Sequence, residues 1–148
     1  MAATLQEILL APDIQPQVIA DCRNLIDEEV SEKSGVSGAA VKLAYKTVKA
    51  FAPGYIQHMV KSLLPDLAGQ LEPYWADFNA SGGSEFGDYL AKRGNEVAEA
   101  LLSVTDARAA RSSRPTIIKA YKTVRGSAVK NVEAALPRVG DLVLKYAT

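Results

Sequence analysis

Cysteine and histidine occur once each in this chain of 148 residues, as Cys22 and His58, and tryptophan only as Trp75. A lone cysteine excludes an internal disulfide. A lone histidine beside it leaves no set of soft ligands for zinc. Long apolar runs are also missing, since no stretch approaches the roughly 18 apolar residues that a membrane span needs. The opening MAATLQEILLAPDIQP lacks a basic n-region and a long apolar core, so the expectation is a cytoplasmic protein. Net charge is zero, with 17 Lys+Arg against 17 Asp+Glu, which removes any global attraction to polyanions. No alternating strand pattern recurs, and no glycine-rich phosphate loop follows a strand.

What is present is helical periodicity almost throughout. The spacing predicts helices over residues 5–10 and 16–32, the second with Val18, Ile19, Cys22, Leu25, Ile26 and Val30 on one face. A third begins behind Ser37 as N-cap, with Ala40, Leu43, Ala44, Thr47, Val48 and Phe51 as its buried stripe and Lys42, Lys46 and Lys49 opposite. Pro53-Gly54 ends it. An apolar helix then runs from residue 56 to 78, where Pro65 is expected to kink or split it. NASGGSEFGD, residues 79–88, is the clearest break, with Ser84 as the next cap. Helices over 85–92, 95–108, 116–125 and 128–146 follow, the last containing Pro137.

The hexapeptide AYKTVK at residues 44–49 returns as AYKTVR at 120–125. Around it, LLPDLAGQLEPYW (63–75) matches ALPRVGDLVLKYA (135–147), pairing Pro65 with Pro137 and Tyr74 with Tyr146. Charge repeats with the same period: net −5 over residues 1–35, +4 over 36–65, −6 over 66–106 and +7 over 107–148. The expected fold is therefore all-α. About eight helices form two tandem four-helix repeats, about 1–79 and 84–148, joined by a Gly/Ser loop. Units of this size are marginal alone, so they should form one compact domain, their long helices packed together with pseudo-two-fold symmetry.

KSGVSGAAVK, WADFNASGGSEFGDYLAKRG, VTDAR and NVEAALPRVGDLVLKYA resemble a family of small actinobacterial all-helical proteins of unknown function. The resemblance spans most of the chain. It implies a bacterial cytoplasmic protein with a helical fold, and it carries over no functional residues.

Three constellations suggest chemistry. Lys42, Lys46 and Lys49 in the first half and Lys119, Lys122 and Arg125 in the second form basic stripes that would track phosphates if they shared one side. Neutral overall charge and isolated aromatics, Tyr45 and Tyr121, argue instead for a solvated surface compensating the acidic helices. Asp77, Asn79, Ser81 and Asp88 fall at calcium-loop spacing. Asp88 is short for a bidentate ligand and no second loop pairs with it, so a Gly/Ser linker explains the same letters. Tyr74, Trp75 and Phe78 would line a hydrophobic pocket where kinked helices meet, although such a cluster more often fills a core.

Catalysis finds no support. Cys22 lies on an apolar face, His58 stands alone, and Asp27, Glu28 and Glu29 point different ways as solvated charge. The leading expectation is a non-catalytic interaction or scaffold protein without a cofactor, meeting a protein partner or its own copies. An apolar-ligand carrier, or a binder of anionic nucleic acid or membrane through the basic helices, ranks below it.

Overall fold

The computed structural model describes residues 3–147, which contain helices and no strand. Seven helices follow one another: α1 (Leu5–Leu9), α2 (Gln15–Ser31), α3 (Gly35–Phe51), α4 (Tyr55–Ser81), α5 (Phe86–Lys92), α6 (Gly94–Ala110) and α7 (Pro115–Ala147). None is long and apolar enough to cross a membrane. The expected all-α class holds.

Seven helices replace the expected eight because the last two are one. After the first hexapeptide, Pro53 withholds a backbone donor and Gly54 takes a left-handed φ of 81°, so the chain turns between α3 and α4. After the second stands Gly126 with no proline. A lone glycine costs a helix about 1 kcal/mol, too little to break α7 while α3, α5 and α6 pack along it. At 1.5 Å per residue α7 is about 50 Å long.

Other boundaries also move. Pro65 and Pro73 lie inside α4 and Pro137 inside α7 without splitting them. Each proline disturbs one turn, whereas burial acts along the whole helix. The Gly/Ser break contracts to residues 82–85, because α4 continues through Asn79, Ala80 and Ser81 to a left-handed Gly82. Ser34 occupies the N-cap of α3, so Ser37 falls inside the helix, its side chain outside the described residues. Glu85 rather than Ser84 precedes α5.

The two long helices do not lie closely against each other. Instead α1, α2, α5 and α6 each pack on both α4 and α7. At one end this arrangement is full. Leu5, Phe86, Leu90 and Leu136 are wholly buried there, and Phe86 meets Trp75 edge-on at 5.1 Å and Phe78 at 5.0 Å. α5 rests backbone-close on α7: a methyl added to Gly140 would sit 2.2 Å from the Gly87 backbone. Glu72 of α4 accepts the Leu5 amide at 2.8 Å, fixing the start of α1.

Tyrosines join the helices across their polar edges. Five of the six donate a phenolic hydrogen to a carboxylate on another helix or the far end of the chain: Tyr45 to Asp27, Tyr74 to Glu96, Tyr89 to Asp77, Tyr121 to Asp106 and Tyr146 to Asp21. Each ring packs on the apolar layer while its hydroxyl reaches the acid at the rim.

Candidate functional site

At the other end the helices surround a space instead of a core. It has a volume of about 550 Å³ and is not sealed from solvent. Its walls come from the C-terminal half of α2, the inner face of α3, the N-terminal half of α4, the C-terminal half of α6 and α7 up to Val139. Leu25, Ile26, Ile56, Leu63, Leu101 and Ile117 are representative of the lining. The helices leave room because the residues facing inward on the basic helices are short. Ala44 and Val48 come from one hexapeptide, Ala120 and Val124 from the other, with Ala128 and Ala135 further along α7.

Both hexapeptides thus line one cavity, and each anchors to the helix before it in the same way. Tyr45 donates to Asp27, and Lys49 stands 3.7 Å from the same carboxylate. Tyr121 donates to Asp106, which Arg125 grips through Nε at 2.9 Å and Nη2 at 3.1 Å. Thr105 lies 2.8 Å from the Tyr121 hydroxyl. The hydrogen bonds from Arg125 and Tyr121 hold the Asp106 carboxyl below its usual 3.8. Burial, followed by the acid acceptor, raises both phenols.

Other polar groups on the wall are also engaged. Arg108 donates to Ser62 at 2.9 Å. Glu29 meets Lys33 at 3.3 Å and also accepts from Arg138, which reaches Glu28 at 3.2 Å and Glu32 as well. Asn131 donates to Ser127 at 3.2 Å. The surface left facing the space is apolar, mostly aliphatic with the rings of Tyr45, Tyr55 and Tyr121 among it.

The residues singled out from sequence are distributed differently. Trp75 and Phe78 belong to the filled end, and Tyr74 sits at a rim with its hydroxyl 2.6 Å from Glu96. The apolar space therefore lies away from the expected aromatic cluster, because large rings fill volume and short residues leave it. Asp77, Asn79 and Ser81 fall on the last turns of helix α4 rather than in a loop, and Asp88 on the first turn of α5. Asp77 accepts from Tyr89 with Arg93 4.0 Å away, and Ser81 donates to the Phe78 carbonyl. Among the described residues no three His, Cys, Asp or Glu side chains gather as a metal site.

Lys42, Lys46, Lys119 and Lys122 are exposed, whereas Lys49 and Arg125 are tied to aspartates as above. His58 is exposed on α4. Cys22 is mostly covered, and burial pushes its thiol up to about 11, which leaves little thiolate at neutral pH. Of the acids expected as solvated charge, Glu28 is exposed and reaches Arg138, Asp27 is half-buried and accepts from Tyr45, and Glu29 is largely covered between Lys33 and Arg138. Sequence reading also missed Arg138. Its signal was an arginine on an apolar helix, with acids more than a hundred positions away.

Fold and cavity define an all-helical protein with an apolar, solvent-open space bordered by two near-identical hexapeptides. The chain belongs to a family of unknown function (DUF6918), whose model matches residues 5–147. No curated protein and no solved structure matches it.

Proposed function

We propose that this protein is a non-catalytic carrier or sensor of a small apolar ligand with an aliphatic body, held in the cavity between α2, α3, α4, α6 and α7. The observation that carries this reading is the 550 Å³ space with apolar, mostly aliphatic walls. Pockets that take small molecules generally span about 300–1,000 Å³ with a mostly apolar lining. The space is open to solvent, so water meets its apolar wall, and a ligand seated there gains by taking that apolar surface out of water. The engaged polar groups of the wall favour a ligand that asks for few hydrogen bonds.

The sequence alone favoured a scaffold with a protein partner; the cavity moves the preference to the carrier. The two hexapeptides, with their equivalent Tyr–Asp–cation ties, support the inference that the chain arose by duplication of a helical unit. A pseudo-two-fold arrangement would then place the ligand between the copies.

Native mass spectrometry of protein purified without detergent, together with uptake of the fluorescent probe N-phenyl-naphthylamine, tests the reading. The expected result is a retained apolar adduct or saturable probe uptake, displaced by long-chain alcohols. Ala120→Phe, which fills the space, should lower uptake by about tenfold or more while leaving the helical spectrum unchanged. Neither adduct nor uptake in the wild type would sink the proposal and return attention to a protein partner.

A further inference from the structure

The outer face of α3 shows a second, independent feature. Val36, Leu43 and Phe51 are 91%, 67% and 58% exposed, although a helix of this spacing would normally bury such residues. At 3.6 residues per turn, Val36, Ala39, Leu43, Thr47, Ala50 and Phe51 share an arc of about 120°, and all six are exposed. Thr47 adds little polarity, because its hydroxyl donates to the Leu43 carbonyl at 2.8 Å. Lys42, Lys46 and Lys49 form one border of this arc and are exposed too, Lys49 while also reaching Asp27. No acid occurs from residue 36 to 65. The opposite side of the helix, with Val41, Ala44, Tyr45 and Val48, lines the cavity. α3 is thus apolar both inward and outward, with a cationic edge between.

From this we infer that the outer face of α3 docks reversibly on an anionic lipid bilayer, with Val36, Leu43 and Phe51 entering the interface and Lys42 and Lys46 meeting the headgroups. Helices that lie in a membrane surface combine an apolar stripe with flanking lysines in this way. The lysine stems run along the apolar level while the ammonium groups reach the phosphates. Each such cation adds attraction to an anionic leaflet that salt weakens. A second copy of the chain fits less well, since two α3 faces brought together would oppose lysines with no acid on either helix. A neutral chain is compatible with this role because the charge is local: α2, carrying Asp21, Asp27, Glu28 and Glu29, lies behind α3.

Vesicle flotation of the full chain at low salt tests the inference. Probes are phosphatidylcholine vesicles with and without about 30% phosphatidylglycerol. The expected result is partition onto the anionic vesicles at least about tenfold stronger than onto neutral ones, and reversed by salt. Leu43→Glu with Phe51→Glu should remove it, and Lys42→Glu with Lys46→Glu should weaken it about tenfold or more. All four side chains are exposed, so unchanged helical content is expected in both variants. Absence of binding, equal binding to both vesicle types, or indifference to either double variant overturns the inference. So does a concentration-dependent dimer that Leu43→Glu dissociates, because the face would then join two copies. None of these readouts requires the cavity to be occupied.

Discussion

Around Phe86 the space between helices is filled by rings and branched chains; around Tyr45 and Tyr121 the same kind of helix packing leaves a cavity open to solvent. Both ends use amphipathic helices with apolar residues at helical spacing, and both are fastened at their rims by tyrosine–carboxylate hydrogen bonds. The difference lies in side-chain size. Trp75, Phe78, Phe86 and Leu136 occupy one end, while Ala44, Ala120, Ala128 and Ala135 border the other. Periodicity decides that a face turns inward, and volume decides whether it meets a neighbour or a void. A packed end holds the fold, which leaves the hollow end free to take a guest.

Truncation or overfilling should separate the two ends most strongly. Phe86→Ala is expected to cost about 3–5 kcal/mol in denaturant unfolding. Gly140→Ala should cost a comparable amount, because its methyl meets backbone at 2.2 Å and α5 must lift from α7 to make room. Ala128→Leu on the cavity wall should change stability by about 1 kcal/mol or less. Equal costs at the two ends would show that the hollow end closes in solution, and the comparison would break.

A smaller effect is expected from the rim. Tyr121→Phe leaves the ring and removes the hydroxyl shared with Asp106 and Thr105, so a loss of about 1 kcal/mol is predicted. Arg125 stays on Asp106 in that variant and limits the damage. The loss should appear in unfolding midpoints and as faster release of the naphthylamine probe, since α6 and α7 form one wall. An unchanged release rate would mean that the tie fastens the fold but not the cavity.

The smallest effect is a pH window. Asp21 and Asp106 lie below their usual 3.8, held first by Lys145 and Arg125 respectively, then by Tyr146 and Tyr121. Their contribution is full above that value and is lost as pH falls through the folded-state pKa. Tyrosines shift the other way: Tyr74 is pushed up to about 12, first by burial and then by Glu96, and Tyr45, Tyr89, Tyr121 and Tyr146 also rise. The unfolded chain ionises first near pH 10, so this contribution is present below that pH and is lost as pH rises toward the folded-state values. Thermal midpoints should be level between about pH 4 and 10 and fall outside. A continuous decline from neutral pH would remove the tyrosine ties from the account of stability.

Helices were legible because their signals are local. Apolar spacing located α2, α6 and the run of α4, and Pro53-Gly54 marked a turn because both residues constrain their own backbone. Ends were less legible where a local signal competes with tertiary packing: the spacing separates helices over 116–125 and 128–146, yet α7 runs unbroken through Gly126 while its neighbours pack along it. The outward turn of Leu43 and Phe51 was misread for a related reason. A helix face too broad for its neighbours looks the same in sequence as one that is fully covered.

The amino-acid sequence by itself determined that this protein is helical, that its charge alternates along the chain, and that one hexapeptide is written twice. Helicity follows from residues within a few turns of one another, and the other two are read directly from the order of the letters. Only the tertiary structure decided that both hexapeptides face one cavity, that Trp75 fills a core instead of lining a pocket, and that Asp27 and Asp106 each receive a tyrosine. Those outcomes depend on the volume left when distant helices meet, a quantity that no single stretch of chain contains.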